Sequence, residues 1–164
     1  MNTDIRYTFN VTGQVEPDYR FAVSIIDWLV GNLKELTTDE DDKLFNEVNI
    51  GYNEESLKSF GKKPVCDVYF NNVNYDTDFD EHTPETVNSI VIYYLKGANN
   101  PTYMKACEIH DYITQEFLKN DSFKRLNDIV RDTFILNSEI QPSPVGKRWG
   151  VMGIFELSHI LYQD

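Results

Sequence analysis

The stretch Trp149-Gly150-Val151-Met152-Gly153-Ile154-Phe155-Glu156-Leu157-Ser158-His159-Ile160-Leu161-Tyr162 decides how this chain is read. Alternate residues of a strand face opposite ways. Here both sets are apolar: Val151, Phe155, Leu157 and Leu161 on one side, Met152, Ile154, Ile160 and Tyr162 on the other, with Glu156 and Ser158 as interruptions. A strand apolar on both sides needs cover on both, from helices or from another subunit. Upstream lies a second strand pattern, 129–140. Between the two runs Gln141-Pro142-Ser143-Pro144-Val145-Gly146-Lys147-Arg148, whose prolines predict a stiff link. In front of both, Ala106, Ile109, His110, Ile113 and Phe117 recur at helical spacing and predict a helix over 101–119. Asn120-Asp121 ends it, and 122–126 adds a short turn.

Working back toward the N-terminus, Phe21, Ile25, Trp28, Leu29, Leu33 and Leu36 form one apolar stripe, predicting a first helix over 18–36 with Pro17 at its start. Val48, Ile50 and Tyr52 alternate with polar neighbours as a strand does. Residues 65–70 repeat the pattern with Cys66, Val68 and Phe70 on one face and Asp67 on the other. Residues 89–95 are apolar on both faces, as at the centre of a sheet. The intervening 71–88, rich in Asn, Asp and Thr, read as a long acidic loop. Segment 1–17 reads as an N-terminal strand or arm, with Tyr7, Phe9 and Val11 alternating against Arg6, Thr8 and Asn10. Strands grouped as hairpins and separated by two main helices predict an α+β fold with a mainly antiparallel sheet, in a single domain over 1–164.

Composition bounds the function. The hydrophobic fraction of 41% and charged fraction of 26% are those of a globular chain. The aromatics, ten Tyr, ten Phe and two Trp, suit a core or an interface. Twenty-seven acids against 15 bases give a net charge of −12, which argues against a duplex-binding protein, because phosphate contact needs clustered Lys and Arg. The charge is uneven: 37–88 holds 13 acids and 4 bases, for −9, whereas 119–164 holds six of each and is neutral. Cys66 and Cys107 are the only cysteines and read as small buried thiols in a reducing compartment. The first residues lack the basic and apolar regions of a signal peptide, and the longest apolar run, 90–95, is far too short for a membrane span. The expectation is synthesis in the cytoplasm with no membrane anchor.

The chemical candidates each meet an objection. Asp76-Thr77-Asp78-Phe79-Asp80-Glu81 begins like a calcium loop, but Glu81 stands where the sharp turn needs glycine, and Val87 where a bidentate glutamate is needed. Cys107 and His110 sit three apart on a helix, with no second ligand pair to complete a zinc site. Ser143 lies between prolines in a turn, and His82 and His159 have no sequence partner marking a base. Gly150 and Gly153, inside a strand pattern, mark a bulge or a close backbone contact. Lys147-Arg148-Trp149 is a basic and aromatic cluster suited to anchoring an acidic neighbour or simply to an exposed turn. No catalytic set, metal site or cofactor site is expected.

With these elements in order, the chain resembles the tail terminator (tail completion) proteins of tailed bacteriophages, or a closely related neck protein. The resemblance rests on the helix 19–36, the strands 65–70 and 90–95, the helix 101–118, and the closing pair. In that pair Ile140-Gln141-Pro142 leads into Gly146-Lys147-Arg148-Trp149 and a last strand ending at Tyr162. It covers 18–162 as a pattern of elements, without a diagnostic motif. It implies a tail-terminator-like subunit that is no enzyme, binds no cofactor and assembles into a ring, usually hexameric. Such a ring stands at the head-proximal end of the tail tube, stops tube growth and joins the tail to the head-side connector. The implied partners are further copies of the chain, the tail-tube protein, the head–tail connector protein, and DNA passing through the lumen without specific binding. The implied location is the virion tail or neck, and the host cytoplasm during assembly. Six copies of a −12 chain would carry −72 charges, and a like-charged lumen would repel DNA from its wall.

On this basis the candidate interface residues are Tyr7, Phe9, Val11, Lys147, Arg148, Trp149, Ile154, Ile160 and Tyr162. The candidate lumen or acidic surface is Asp39, Glu40, Asp41, Asp42, Asp76, Asp78, Asp80 and Glu81. An acidic inhibitor or DNA mimic, its carboxylates imitating phosphates, is the alternative function.

Overall fold

A computed structural model describes residues 17–38, 41–51, 63–75, 84–97, 99–145 and 148–162. The chain runs α1 (Pro17–Lys34), β1 (Glu47–Ile50), β2 (Val65–Tyr75), β3 (Pro84–Lys96), α2 (Asn100–Lys119), α3 (Asp121–Arg125), β4 (Asp132–Val145) and β5 (Arg148–Ile160). The strands form one sheet in the order β1-β2-β3-β5-β4. β1 pairs with β2 in parallel, and the other three pairings are antiparallel. The fold is α+β, with two main helices on a mainly antiparallel sheet.

Both helices pack on the same sheet face. α1 buries Ala22, Ile25, Ile26, Leu29 and Leu33, and α2 buries Ala106, Ile109, Ile113 and Phe117. Both sets join Val68, Val91, Tyr93, Phe155 and Leu157 in a single core. Spacings of three and four residues put each set on one side of its helix. Complete burial of a Leu or Ile is worth about 1.5–3 kcal/mol, so Ile25, Leu29 and Leu33, none of them exposed, hold α1 down. Asn99 caps α2: its Oδ1 accepts from the Thr102 backbone N–H at 3.0 Å and from Thr102 Oγ1 at 2.8 Å. Trp28 of α1 and Phe123 of α3 meet edge to face at 5.1 Å, so the corner after α2 leans back onto α1.

The structure corrects three expectations. The acidic loop expected over 71–88 shrinks, because β2 runs to Tyr75 and β3 starts at Pro84. The apolar alternation stops there, but the asparagines that suggested a loop pair across the strands. Asn88 Nδ2 donates to Asn72 Oδ1 at 2.8 Å, and Asn74 Nδ2 to Thr86 Oγ1 at 3.1 Å. Second, β4 begins at Asp132 and not at 129. Leu126, Asn127 and Asp128 all take positive φ, turning the chain after α3 before the strand can start. Third, the proline link is itself strand: Gln141, Pro142, Ser143, Pro144 and Val145 pair with Met152, Val151, Gly150, Trp149 and Arg148. Prolines at alternate positions lack their donors on one side of a strand only. Because the ladder to β5 continues through both, that side is the open edge.

Candidate functional site

β5 lies between β3 and β4, so its register organises the second sheet face. Met152 stands between Tyr94 and Gln141, Ile154 between Ile92 and Glu139, and Glu156 between Ile90 and Asn137. Across β2, Val65 lies beside Tyr94 and Asp67 beside Ile92. The result is an apolar stripe of Ile90, Ile92, Tyr94, Met152 and Ile154, with Val65 and Tyr69 extending it, bordered by the carboxylates of Asp67, Glu139 and Glu156. This second cluster contains no residue of a described helix. Ile90, Met152, Ile154 and Glu156 are half-buried and Glu139 is exposed. The face is thus uneven, closed at Val65, Ile92 and Tyr94 and open toward β4.

β4 forms the sheet edge on that side, and Phe134 and Leu136 stand exposed along it. A bulge between Ile135 and Asn137 leaves Leu136 as the extra residue. With the two prolines farther along, it breaks up an edge that would otherwise be a long template for strand addition.

A second concave feature lies on the helical side. A cleft of about 620 Å³ opens between α2 and a wall formed by Thr37, Thr38 and Leu44. Leu44, Ile109 and Tyr112 supply its apolar lining. Among the described residues of the lining, Glu108, Asp111 and Glu116 bring three carboxylates against one base, Lys105. Tyr112 donates from its phenol to the Thr37 carbonyl at 3.1 Å, tying the two walls together. Gln115 Oε1, also in this lining, is buried and accepts no hydrogen bond among the described residues.

The candidate interface residues divide. Trp149, at 64% exposure the most exposed large apolar side chain among the described residues, stands at the start of β5. Ile154 and Ile160 are half-buried on the second sheet face, and Tyr162, just past β5, is half-exposed. Arg148 opens β5. Tyr7, Phe9, Val11 and Lys147 lie outside the described residues, as do Asp39, Glu40, Asp76, Asp78, Asp80 and Glu81. Of the acidic set, Asp41 and Asp42 are exposed. Lys63 bonds Asp42 at 2.6 Å and holds its carboxyl below the usual range. Sequence reading missed Glu139 and Glu156 as the border of the open face. It also missed the cleft, which joins Thr37, Thr38 and Leu44 to residues of α2. Only the strand register and the helix packing bring these together.

His159 has a through-space partner that no sequence spacing announces. Its Nε2 lies 2.7 Å from Ser89 Oγ and its Nδ1 2.9 Å from Thr133 Oγ1. A neutral imidazole has one donor and one acceptor nitrogen, so one hydroxyl donates to the ring and the other accepts from it. Burial holds the ring neutral, with its pKa pushed down to about 3. Ser89 and His159 are wholly buried and Thr133 nearly so, which leaves this hydroxyl–imidazole pair no open path to a substrate. His110 is half-buried on α2, stacked on Phe155 at 4.1 Å, with its Nδ1 2.9 Å from the Tyr93 hydroxyl. Among the described residues, no group of three or more His, Cys, Asp or Glu side chains is placed to hold a metal ion. No described helix is long and apolar enough to cross a membrane. No known protein family's sequence profile matches this chain, and no curated protein matches it.

Proposed function

We propose that this chain is a structural subunit that assembles into a ring with copies of itself, of the kind that terminates a phage tail tube or forms a neighbouring part of the neck. The observation that carries this reading is the two-faced apolar character of β5. Phe155, Leu157 and Val151 go into the helix-covered core, while Met152 and Ile154 face the other way, into a stripe to which no described helix contributes. Large apolar residues placed on a partly open, carboxylate-bordered face mark an interaction surface. The exposed Phe134 and Leu136 continue it to the sheet edge.

Closed rings need heterologous contacts, in which one patch meets a different patch on the next subunit. A half-open sheet face, a sheet edge and an exposed tryptophan at the start of β5 are three distinct surfaces of that kind. The net charge of −12 fits a wall that lets DNA slide past. Six such subunits would be the expected number, with the tail-tube and connector proteins above and below.

Light scattering across a range of concentrations, paired with electron micrographs, tests this. The expected result is a defined oligomer appearing as rings, formed by the chain alone or when tail-tube protein is added. A species that stays monomeric at high concentration under both conditions rules the reading out.

A further inference from the structure

We infer that the open side of the second sheet face receives the α2–α3 corner of a second copy, Leu118 packing among Phe134, Ile154 and Ile160 while Lys119 and Arg125 meet Glu139 and Glu156. The contact rests on the ring reading above and names one of its interfaces. On β5, Ile154, Glu156, Ser158 and Ile160 alternate onto one face, and Phe134 and Glu139 of the edge strand β4 stand opposite Ser158 and Ile154. Phe134 is 50% exposed, Glu139 is exposed, and Ile154, Glu156 and Ile160 are half-buried. Apolar surface and two carboxylates thus lie open together beside the sheet edge, the composition of an interaction patch.

The corner is the complementary partner. Residues 118–125 hold three bases and one acid, a charge of +2 in a chain of −12. Lys119 and Arg125 are exposed, and Leu118, next to Lys119, is 56% exposed although Phe117 before it is buried. None of Lys119, Arg125, Glu139 and Glu156 makes an ion pair among the described residues, so each charged surface is unmatched within its own chain. The corner is also held in shape. Asn120 donates its backbone N–H to the Glu116 carbonyl at 3.0 Å and accepts the Ser122 N–H on its side chain at 3.0 Å, joining α2 to α3. Phe123 meets Phe117 edge to face at 5.3 Å and Trp28 at 5.1 Å. A preformed anchor loses little entropy on docking. The corner packs with the helices on one side of the sheet, whereas Ile154 lies on the other, so a chain cannot lay its own corner on its own patch. The contact is therefore between copies and head to tail, and a ring can close through it.

The test is self-association measured by sedimentation and light scattering on the full chain, with and without tail-tube protein. Wild type is compared with Leu118→Ala, Glu139→Lys, Lys119→Glu/Arg125→Glu and the combination of all three charge reversals. Leu118→Ala should weaken association about tenfold, the loss expected for one buried leucine. Glu139→Lys and Lys119→Glu/Arg125→Glu should each weaken it about tenfold or more, and the combination should recover a large part of that loss. Thermal melting checks folding, and because all four positions are exposed it should change little. Variants that associate as tightly as an oligomeric wild type overturn the contact while leaving the ring intact. Reversals that weaken association with no recovery in the combination overturn the matching of this corner to this face. A wild type that stays monomeric with and without tail-tube protein removes the ring reading and this contact together.

Discussion

A Cβ added to Gly153 would stand 2.0 Å from Cζ of Tyr93, so the phenol ring fills the space a side chain would need. The two residues are cross-strand partners on β5 and β3, on the face beneath α2. Tyr93 cannot swing aside at low cost. It is wholly buried, and its hydroxyl donates to the Ala106 carbonyl at 2.9 Å while also contacting His110 Nδ1. Gly153→Ala should therefore act as overpacking in a closed core, destabilising by about 3 kcal/mol. For a chain of this size that is a fall in melting temperature of about 6–12 °C. Calorimetry checks it, and a melting temperature within a degree of wild type would show that the ring has room to move.

The neutral His159 makes acid a specific threat. Its folded pKa is about 3, against roughly 6.5 for an unperturbed imidazole. Between those values the unfolded chain binds a proton that the folded chain refuses, so stability rises with pH across the window. The contribution is complete above pH 6.5 and is lost as pH falls toward 3, on the order of 5 kcal/mol in all. His110, half-buried and likewise shifted down by desolvation, adds a smaller loss of the same sign. Denaturant unfolding of wild type and His159→Gln at several pH values separates this from the carboxylates common to both. The gap between the two curves should narrow as pH drops, and parallel curves would show that His159 does not titrate on unfolding.

The periodic parts of this fold were legible in the sequence because a helix stripe and a strand alternation are local. The helices and the apolar cores of the strands follow from residues such as Leu29, Ile113, Val91 and Phe155. What was not legible depended on pairing between distant residues. Asn72 and Asn88 look like loop residues until they bond across β2 and β3. Pro142 and Pro144 look like a break until an edge strand makes their missing donors harmless. Gly153 was read as a bulge or a close contact, and the structure decides for the contact, with the register past it unbroken. The bulge falls instead on β4, near Leu136. The candidate site was half-legible: Ile154 and Trp149 stood out from alternation and type, but Glu139, beside Ile154 on the neighbouring strand, acquires meaning only in three dimensions.

The two cysteines should differ sharply in reactivity. Both were expected to be buried, yet Cys107 is partly exposed on α2, while Cys66 lies in the core on β2. Burial, and secondarily the neighbouring Asp67 carboxylate, pushes the Cys66 thiol well above its ordinary pKa. An aromatic disulfide reagent should therefore modify one thiol per native chain and two after denaturation. Mass mapping should find Cys107 as the native site. Rapid native labelling of Cys66 would mean that β2 opens far more readily than its burial implies.

Ile154 and Phe155 are adjacent in sequence and opposite in role. Phe155 is wholly buried and packs on Tyr93 and His110, so Phe155→Ala should cost about 3–5 kcal/mol and leave little folded protein at raised temperature. Ile154 is half-buried on the face without described helices, opposite Glu139 on β4. Ile154→Arg places a guanidinium beside that carboxylate, so the fold should tolerate it at a cost of about 1–2 kcal/mol. If subunits meet through this face, the same substitution should weaken self-association at least about tenfold, because a charge then has to be buried at the contact. Melting and sedimentation on the two variants separate the outcomes. An Ile154→Arg chain that assembles as tightly as wild type would place the open face outside the interface, whatever happens at Phe155.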